Sequence, residues 1–384
     1  MTDLATLTLE PVARTPLHAL HLERGARMVP FAGYDMPLQY PSGIMAEHLH
    51  VRAACGLFDV SHMGQILLRP LSGDVRDAAL ALERLVPADI ASLSPGRQRY
   101  ALLTNDNGGI LDDLMVANMG DALFLVVNAG RKVADLAHLQ EHLGGSCVIE
   151  FLADHALLAL QGPGAEAALS ALAPEVASMR FMDVRTITID GHACTVSRSG
   201  YTGEDGYEIG MPAEAADAVA RRLLDQPGVL PIGLGARDSL RLEAGLCLYG
   251  VDLDPTTTPV EAGLNWAIQK NRRYGGARAG GFPGAEIILR QLVEGADRRR
   301  VGMRPEGRAP LRAGASLFVP DDLSVCIGHV SSGAFGPTLQ APVAMGYVRR
   351  SLSQPGTALV AELRGRHVPV TVSPMPFISP TYKR

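Results

Sequence analysis

The chain has 384 residues, with 35 Lys and Arg against 40 Asp and Glu, a formal net charge of −5 at pH 7. This charge excludes a broadly basic nucleic-acid-binding protein, because binding a duplex requires a basic face that displaces counterions. Hydrophobic residues make up 47% of the chain and charged residues 20%, which excludes a disordered protein and, at roughly 150 residues per domain, favours two or three domains.

No membrane or secretory segment is predicted. The longest purely apolar run, Ala122–Val127, is far shorter than the roughly 20 residues of a membrane helix. The N-terminus carries Asp3 and Glu10 and has no apolar core of a signal peptide. The cysteines are scattered and form no CxxC pair, which indicates reduced thiols in a cytosolic protein; they are Cys55, Cys147, Cys194, Cys247 and Cys326.

The frequent glycines (41) and prolines (26) predict many short strands and turns. Leu123–Val127 and Ala156–Leu160 are apolar runs that predict buried strands, the first leading into Asn128. Val184–Val196 alternates apolar and polar residues around Asp190-Gly191, a dipeptide that favours the positive φ angles of a tight turn. A β-hairpin is therefore predicted there.

Helices are predicted between these strands and the C-terminal part of the chain, where the pattern of apolar residues changes. Helical spacing of apolar residues predicts helices over Ala213–Gln226, Ala236–Ala244 and Ala285–Glu294. From Arg298 to the end the pattern predicts only short strands, including a hairpin around Gly365. The Gly- and Arg-rich segment 272–284 is typical of a linker before this last, mostly β domain. The fold class predicted is mixed α+β.

Several weak motifs have simpler structural interpretations. Gly233-Leu-Gly235 matches only the first half of a dinucleotide-binding loop. His138 and His142 are spaced to share a metal on a helix, but a surface helix is the favoured interpretation and no metal site is predicted. The run 297–300, Asp-Arg-Arg-Arg, fits a phosphate patch or, preferably, the solvated start of a strand.

Two adjacent acids follow a Gly108-Gly109 turn. On a strand, neighbouring side chains point to opposite faces, so one of Asp112 and Asp113 should point inward. A buried carboxylate is unfavourable unless it is paired or takes part in chemistry. The alternative is a turn with two solvated acids.

Two further segments suggest a ligand site. Residues 200–209 place three glycines beside Tyr201 and several carboxylates, which suits a flat heterocycle that donates paired N–H bonds; a decorated hairpin is the alternative. Arg237 and Arg241 could clamp an anionic ligand, although an i, i+4 surface pair is equally compatible with the pattern. The residues alone therefore indicate a site of acids, aromatics and arginine without naming a reaction.

Taken together, these segments resemble the aminomethyltransferase (T-protein) family of the glycine cleavage system. The resemblance covers almost the whole chain. It includes Arg14-Thr-Pro-Leu17, Phe31-Ala-Gly33, Leu57-Phe-Asp-Val-Ser-His-Met63, Gly108-Gly-Ile-Leu-Asp-Asp113, Leu160-Gln-Gly-Pro163, GYTGEDGYE at 200–208, RDSLRLEAGLCLYG at 237–250, Thr257-Thr-Pro-Val-Glu261, Arg300-Val-Gly302, Val343-Ala-Met-Gly-Tyr-Val348 and Met375-Pro-Phe377.

The resemblance implies a three-domain ring, or cloverleaf, with two interleaved α/β domains and a small C-terminal β domain of barrel or jelly-roll type. The implied domains are residues 1–65 with 155–255, which bind folate, residues 66–154 with 256–285, which carry the functional aspartate, and residues 286–384. The implied co-substrate is tetrahydrofolate, held in the central hole. The implied partner is the H-protein, which supplies the lipoyl group.

The family's reaction transfers an aminomethyl carbon from the lipoyl group to tetrahydrofolate and yields 5,10-methylenetetrahydrofolate, ammonia and the dihydrolipoyl carrier. No metal, membrane or nucleic acid is implied. The expected compartment is the cytoplasm, or the mitochondrial matrix for a eukaryotic chain whose leader has been removed.

Carried over by position, the functional aspartate is Asp113, and Glu208 corresponds to the glutamate that contacts the pterin. The implied folate-binding set is Met63, Tyr100, Asp113, Tyr201, Glu208, Arg237, Trp266 and Tyr382. Arg237 and Tyr382 are expected toward the benzoyl-glutamate end.

Relatives of the same fold offer two alternatives. Folate-dependent demethylases share the folate site and use a different donor. Non-enzymatic folate-binding proteins of iron–sulfur assembly carry a Lys-Gly-Cys-Tyr-x-Gly-Gln-Glu motif, whereas this chain has Gly245-Leu-Cys-Leu-Tyr-Gly250 without the Lys or the Gln-Glu. Cys247 is then interpreted as a small buried hydrophobic residue. The chain also has Tyr34 where the family commonly has Trp.

Overall fold

The computed structural model describes residues 12–384; residues 1–11, with the N-terminal prediction made on Asp3 and Glu10, lie outside the described residues. Within 12–384, no helix combines the length and apolarity needed to cross a membrane. The described part contains eight α-helices and twenty strands.

The helices are α1 (His18–Glu23), α2 (Ile44–Ala53), α3 (Val75–Leu82), α4 (Lys132–Leu143), α5 (Ala165–Ser170), α6 (Ala216–Leu224), α7 (Leu234–Glu243) and α8 (Ala285–Glu294). The strands are β1 (Ala13–Arg14), β2 (Arg27–Phe31), β3 (Tyr34–Gln39), β4 (Cys55–Asp59), β5 (Gly64–Pro70), β6 (Arg97–Thr104), β7 (Ile110–Asn118), β8 (Leu123–Val127), β9 (Cys147–Phe151), β10 (His155–Gln161), β11 (Val184–Ile189), β12 (His192–Ser197), β13 (Gly206–Pro212), β14 (Val229–Pro231), β15 (Arg298–Pro305), β16 (Ser316–Phe318), β17 (Gly328–Gly336), β18 (Ala341–Arg349), β19 (Ala358–Leu363) and β20 (Arg366–Ser373).

The first large sheet has six strands in the order β11-β12-β13-β10-β4-β14. Its predicted hairpin is confirmed: β11 and β12 pair antiparallel, and the turn residues Asp190 and Gly191 have φ angles of 53° and 83°. Positive φ at both positions matches the right-handed twist of the two strands. The inward residues of β10, including Leu158 and Leu160, pack with helices α5 and α6 into one buried core.

The second sheet has five antiparallel strands in the order β6-β7-β8-β5-β9. Helices α3 and α4 cover one face and bury a second core with Leu82, Leu125 and Leu139. The chain leaves the first sheet after β4, builds the second sheet and returns at β10. The two α/β parts are thus interleaved, while the residue boundaries given for the domains stay predictions.

A third core joins the two sheets. Phe58 of β4 and Leu157 of β10 pack with Ala117 of β7 and Val126 of β8. The helix α7 adds Ala236 and Leu240 to the same cluster. Because each buried Phe, Leu or Val side chain of this core contributes roughly 1.5–3 kcal/mol, the two sheets are held in a fixed relation.

The C-terminal part is a closed barrel of six strands in the order β15-β18-β17-β16-β19-β20. Alternate residues such as Val301, Leu317 and Val370 point inside and fill it. The predictions of a C-terminal β domain and of the three-part α+β fold are confirmed.

Helix α7 ties the sheets to the barrel through buried charges. Arg241 donates to Asp238 Oδ1, to Asp252 Oδ2 at 2.6 Å and to Ser332 Oγ of β17 at 2.9 Å. Glu243 accepts from the backbone N–H of Thr338 at 2.9 Å and contacts Arg52 Nη2 of α2 at 3.2 Å.

The alternative in which Arg237 and Arg241 form an i, i+4 pair on the surface is therefore wrong. Arg241 is 3% exposed, because its guanidinium is used inside the molecule. The solvated start of a strand predicted at 297–300 is also wrong at Arg300, which is buried and donates to the carbonyls of Ala262 and Gly245. The segment 272–284 is packed: Arg278 contacts Glu83 and Asp89, and Phe282 is buried.

The Arg241–Asp252 pair gives a stability prediction. Replacing Asp252 with alanine leaves the Arg241 guanidinium buried with one carboxylate fewer, and we expect the free energy of unfolding to fall by about 3–5 kcal/mol. Chemical denaturation followed by circular dichroism measures it. The control is Asp121→Ala, which removes the exposed partner of Arg69 and should change stability by at most about 1 kcal/mol. An equal loss of stability in the two variants would contradict the role of Asp252 as the buried partner of Arg241.

Candidate active site

A cavity of about 760 Å³ lies where the two sheets, the barrel and the C-terminal segment meet. Its wall includes Met63 before β5, Leu114 of β7, Gly302 of β15 and Pro376 near the C-terminus. All eight residues of the predicted folate-binding set line this one cavity: Met63, Tyr100, Asp113, Tyr201, Glu208, Arg237, Trp266 and Tyr382. Residues that are far apart in the sequence therefore meet at one site, while their individual roles stay predictions.

The two adjacent acids of β7 point to opposite faces of the second sheet. Asp112 is fully buried, whereas Asp113 is partly exposed and lines the cavity. Tyr100, beside it on β6, donates its hydroxyl to Asp113 Oδ2 at 3.0 Å. The prediction that one acid points inward is confirmed, and the alternative of two solvated acids is wrong.

Asn128 is hydrogen-bonded to both acids. The sequence pattern did not indicate it as a site residue. Its side-chain amide donates to Asp113 Oδ1 at 2.8 Å and to Asp112 Oδ1 at 2.9 Å. Its backbone N–H donates to Asp112 Oδ2 at 3.1 Å. The signal that could have indicated it is its position directly after a buried strand adjacent to the acids, where a polar side chain reaches the sheet edge.

Burial, followed by the neighbouring Asp112 carboxyl group, raises the pKa of Asp113 to about 7. The hydrogen bonds from Tyr100 and Asn128 act in the opposite direction, because they stabilise the carboxylate. A carboxyl group whose pKa is near neutrality can accept and release a proton at the pH of the cell.

A second charged cluster lines the cavity on the first sheet. Glu208 of β13 accepts from Ser199 Oγ at 2.9 Å. Arg237 of α7 lies over the ring of Tyr201 with its guanidinium carbon 4.6 Å from the ring centre. Burial raises the pKa of Glu208 and lowers the pKa of Arg237. A carboxylate and a guanidinium inside one cavity can recognise a ligand with both N–H donors and anionic groups.

Aromatic rings complete the wall. Tyr100 and Trp266 have ring centres 5.2 Å apart at 30°, and Trp266 is 58% exposed. Tyr382 stacks on Phe181 at 4.1 Å and 6°. Such rings offer flat surfaces to a conjugated ligand. Cys247 also lines the cavity, and it is the buried thiol predicted from the sequence: burial raises its pKa to about 12.

The weak motifs are structural. Gly233 and Gly235 begin α7 where a Cβ atom would clash with Leu38 and Ile44, so close packing explains this glycine pair. The rings of His138 and His142 contact each other edge to face on α4, at 4.5 Å. Over residues 12–384, no group of three or more His, Cys, Asp or Glu is arranged to hold a metal ion.

Comparison with known proteins identifies the family. Residues 17–272 match the GCVT N-terminal domain, and residues 298–378 match the glycine cleavage T-protein C-terminal barrel domain. The chain belongs to the glycine cleavage T-protein family. The resemblance found in the sequence is thereby confirmed, and the chain is an aminomethyltransferase that uses tetrahydrofolate, as that family does.

Relatives agree over nearly the whole length. "Aminomethyltransferase, mitochondrial" from Dictyostelium discoideum is 43% identical over 97% of this chain and 94% of its own, and the protein of that name from Gallus gallus is 46% identical over the same shares. The crystal structure of glycine cleavage system aminomethyltransferase T from Bartonella henselae has a TM-score of 0.89 and 43% identity, covering 97% of this chain and 100% of that one. Neither the demethylase nor the iron–sulfur alternative is favoured by these matches.

The double role of Asn128 gives a prediction on Asp113. Asn128→Ala removes side-chain donors that stabilise the Asp113 carboxylate, so the pKa of Asp113 should rise above about 7, by on the order of one unit. A ¹³C NMR titration of the aspartate carboxyl carbons measures it, with Asp113→Asn assigning the signal. Asn107→Ala, in the exposed turn before β7, is the control. A lower pKa in Asn128→Ala would contradict this geometry.

Proposed function

We propose that the cavity binds tetrahydrofolate as co-substrate and that Asp113 moves the proton during aminomethyl transfer. The observation that carries this proposal is a carboxyl group of near-neutral pKa on the wall of a cavity of about 760 Å³. Ligand pockets for drug-sized molecules span roughly 300–1,000 Å³, so a folate fits such a space.

The residues of the wall suit the parts of a folate. Glu208 provides the acceptor for the amide N–H and amino group of the pterin, with Ser199 holding its carboxylate by a 2.9 Å hydrogen bond. Tyr100 and Trp266 offer the stacked rings, and Met63 and Tyr201 line the same pocket. Arg237 and Tyr382 are assigned to the benzoyl-glutamate end. Each of these roles rests on the family resemblance together with the position of the residue on the wall.

The reaction requires two proton movements. The aminomethylene carbon leaves the lipoyl sulfur and the amine nitrogen as it becomes bonded to N5 and N10 of tetrahydrofolate. The two N–H protons of the folate end on the departing ammonia and on the sulfur, so atoms and electrons balance. Asp113, held by Tyr100 and Asn128, accepts and returns such a proton near N5 and N10.

The aminomethyl donor we propose is the lipoylated H-protein, whose arm delivers the lipoyl group to the cavity. We assign the chain to the cytoplasm, or to the mitochondrial matrix if it derives from a eukaryotic precursor with a leader. The word mitochondrial in the names of its curated relatives supports the second option.

The deciding experiment measures ammonia release from aminomethylated H-protein with and without tetrahydrofolate. We expect fast release that depends on tetrahydrofolate. Folate binding without release would reject the donor, and the protein would then be tested as a demethylase with methylated amines or as a folate-binding scaffold.

Asp113→Asn tests the proton role. Because asparagine keeps the shape but cannot take up the proton, we expect turnover to fall on the order of 10²–10⁴-fold with the fold intact. In the wild type, kcat/KM should fall as the pH drops through about 7, because the Asp113 carboxylate becomes protonated. Asp106→Asn, an exposed acid in the preceding turn, is the matched control. A near-normal rate for Asp113→Asn would reject the assignment.

Glu208→Ala tests the pterin contact. The variant loses the acceptor for paired N–H bonds, and one such bond to a charged group contributes about 1.5–3 kcal/mol, so folate affinity should fall on the order of 10–100-fold. Calorimetric titration with tetrahydrofolate and, separately, with H-protein measures both affinities. Carrier affinity should stay unchanged. Equal losses for the two ligands would argue against the pterin role.

A further inference from the structure

Two buried acids lie behind the cavity wall without a cation. Asp112 of β7 is 0% exposed and Asp135 of α4 is 1% exposed. Among residues 12–384, neither carboxylate has an ion-pair partner within 4.0 Å. Asp135 Oδ2 is buried with no hydrogen-bond donor, apart from the Asp112 carboxyl group itself. An unpaired buried carboxylate is strongly unfavourable, so the arrangement needs an explanation.

A proton shared by Asp112 and Asp135 explains how both acids can be buried without a cation. The two carboxyl groups face each other closely enough to form a side-chain hydrogen bond, and only a protonated acid can donate in such a bond. Burial and this contact raise the pKa of Asp112 to about 8, whereas burial raises the pKa of Asp135 to only about 6. Like-charged carboxylates in one site keep one proton between them because they cannot both ionise.

The proton is placed on Asp112 by its surroundings. Asp135 lies in the first turn of α4, where the positive end of the helix dipole favours a carboxylate. The positive charge of Arg131 also lowers the pKa of Asp135. The remaining groups facing the pair are Tyr249, whose hydroxyl donates to the Ile110 carbonyl, Asp113, and Asn128, whose two hydrogen bonds to Asp112 act in the opposite direction. The helix dipole and the charge of Arg131 favour the charge on Asp135, so Asp112 is the neutral acid.

We propose that Asp112 and Asp135 share one proton behind the cavity wall, and that this pair acts as positioning residues that keep a neutral acid, instead of a charge, directly beside Asp113. The proposal rests on the proposed role of Asp113. Asn128 is the physical link, since one side-chain amide donates to Asp112 and to Asp113.

Two isosteric variants distinguish a neutral Asp112 from a charged one. Asp112→Asn imitates the neutral acid: its amide donates to Asp135 and its oxygen keeps one of the two hydrogen bonds from Asn128. Because Asp112 is already neutral in the wild type, the pKa of Asp113 stays near 7. Asp135→Asn removes the acceptor of the shared proton, so Asp112 ionises beside Asp113 and the pKa of Asp113 rises. A like charge nearby shifts a carboxyl pKa by on the order of one unit.

The pH dependence of kcat/KM for ammonia release is the first readout. We expect the acid limb to stay in place in Asp112→Asn and to move up in Asp135→Asn by about half a unit to one unit. Asp121→Asn, which removes an exposed acid from the turn between β7 and β8, should leave the limb unchanged. A purely structural role would lower stability and activity without raising the limb in Asp135→Asn, and a lowered limb in Asp112→Asn would show that Asp112 carries the charge; either result overturns the proposal.

The ¹³C NMR titration of the Asp113 carboxyl is the second readout, and it does not require catalysis. If Asp113→Asn stays active, the proposed role of Asp113 fails, yet a raised pKa of Asp113 in Asp135→Asn together with an unchanged pKa in Asp112→Asn would still support the shared proton. A lowered pKa in Asp112→Asn, or no rise in Asp135→Asn, overturns the proposal. If Asp112→Asn does not fold, Asp135→Asn decides alone: an unchanged or lowered pKa of Asp113 overturns it.

Discussion

The structure depends on helix α7, because its buried charges connect all the parts that form the cavity. Arg241 contacts Asp252 and the barrel residue Ser332, and Glu243 contacts α2 and the N–H of Thr338. On its opposite side, Ala236 and Leu240 pack into the core between the two sheets. Buried ion pairs contribute little net stability, but removing one partner is strongly destabilising. The helix therefore fixes how the sheets and the barrel meet.

That constraint matters because the reactive groups come from different parts. Asp113 lies on the second sheet, Glu208 on the first, and Arg237 on α7 itself. A carboxyl group that transfers a proton must lie within hydrogen-bond reach of its substrate, so an error of about 1 Å in the packing of the sheets would matter.

The sequence was sufficient for local elements and, through the family resemblance, for eight residues that line one cavity, and insufficient for what distant side chains do together. The turn at Asp190-Gly191 and the helix Ala285–Glu294 follow from local rules and were predicted correctly. The burial of Arg241 and Arg300 was not, because their partners Asp252, Ala262 and Gly245 are reached only through the tertiary fold. Asn128 shows the same limit. Its role becomes visible only when the fold places the neighbouring strand, with Asp112 and Asp113, beside it.

The arrangement of acids explains how one carboxyl group can work near neutral pH inside an apolar cavity. Burial raises its pKa, and the hydrogen bonds from Tyr100 and Asn128 oppose that rise. A full charge on Asp112 acts in the same direction as burial, because like charges in a region of low dielectric interact strongly. Placing the charge on Asp135, at the beginning of α4, keeps it in a favourable position and leaves a neutral neighbour. The second sheet and the helix behind it thus set the protonation of Asp113 before a ligand enters the cavity from the other side.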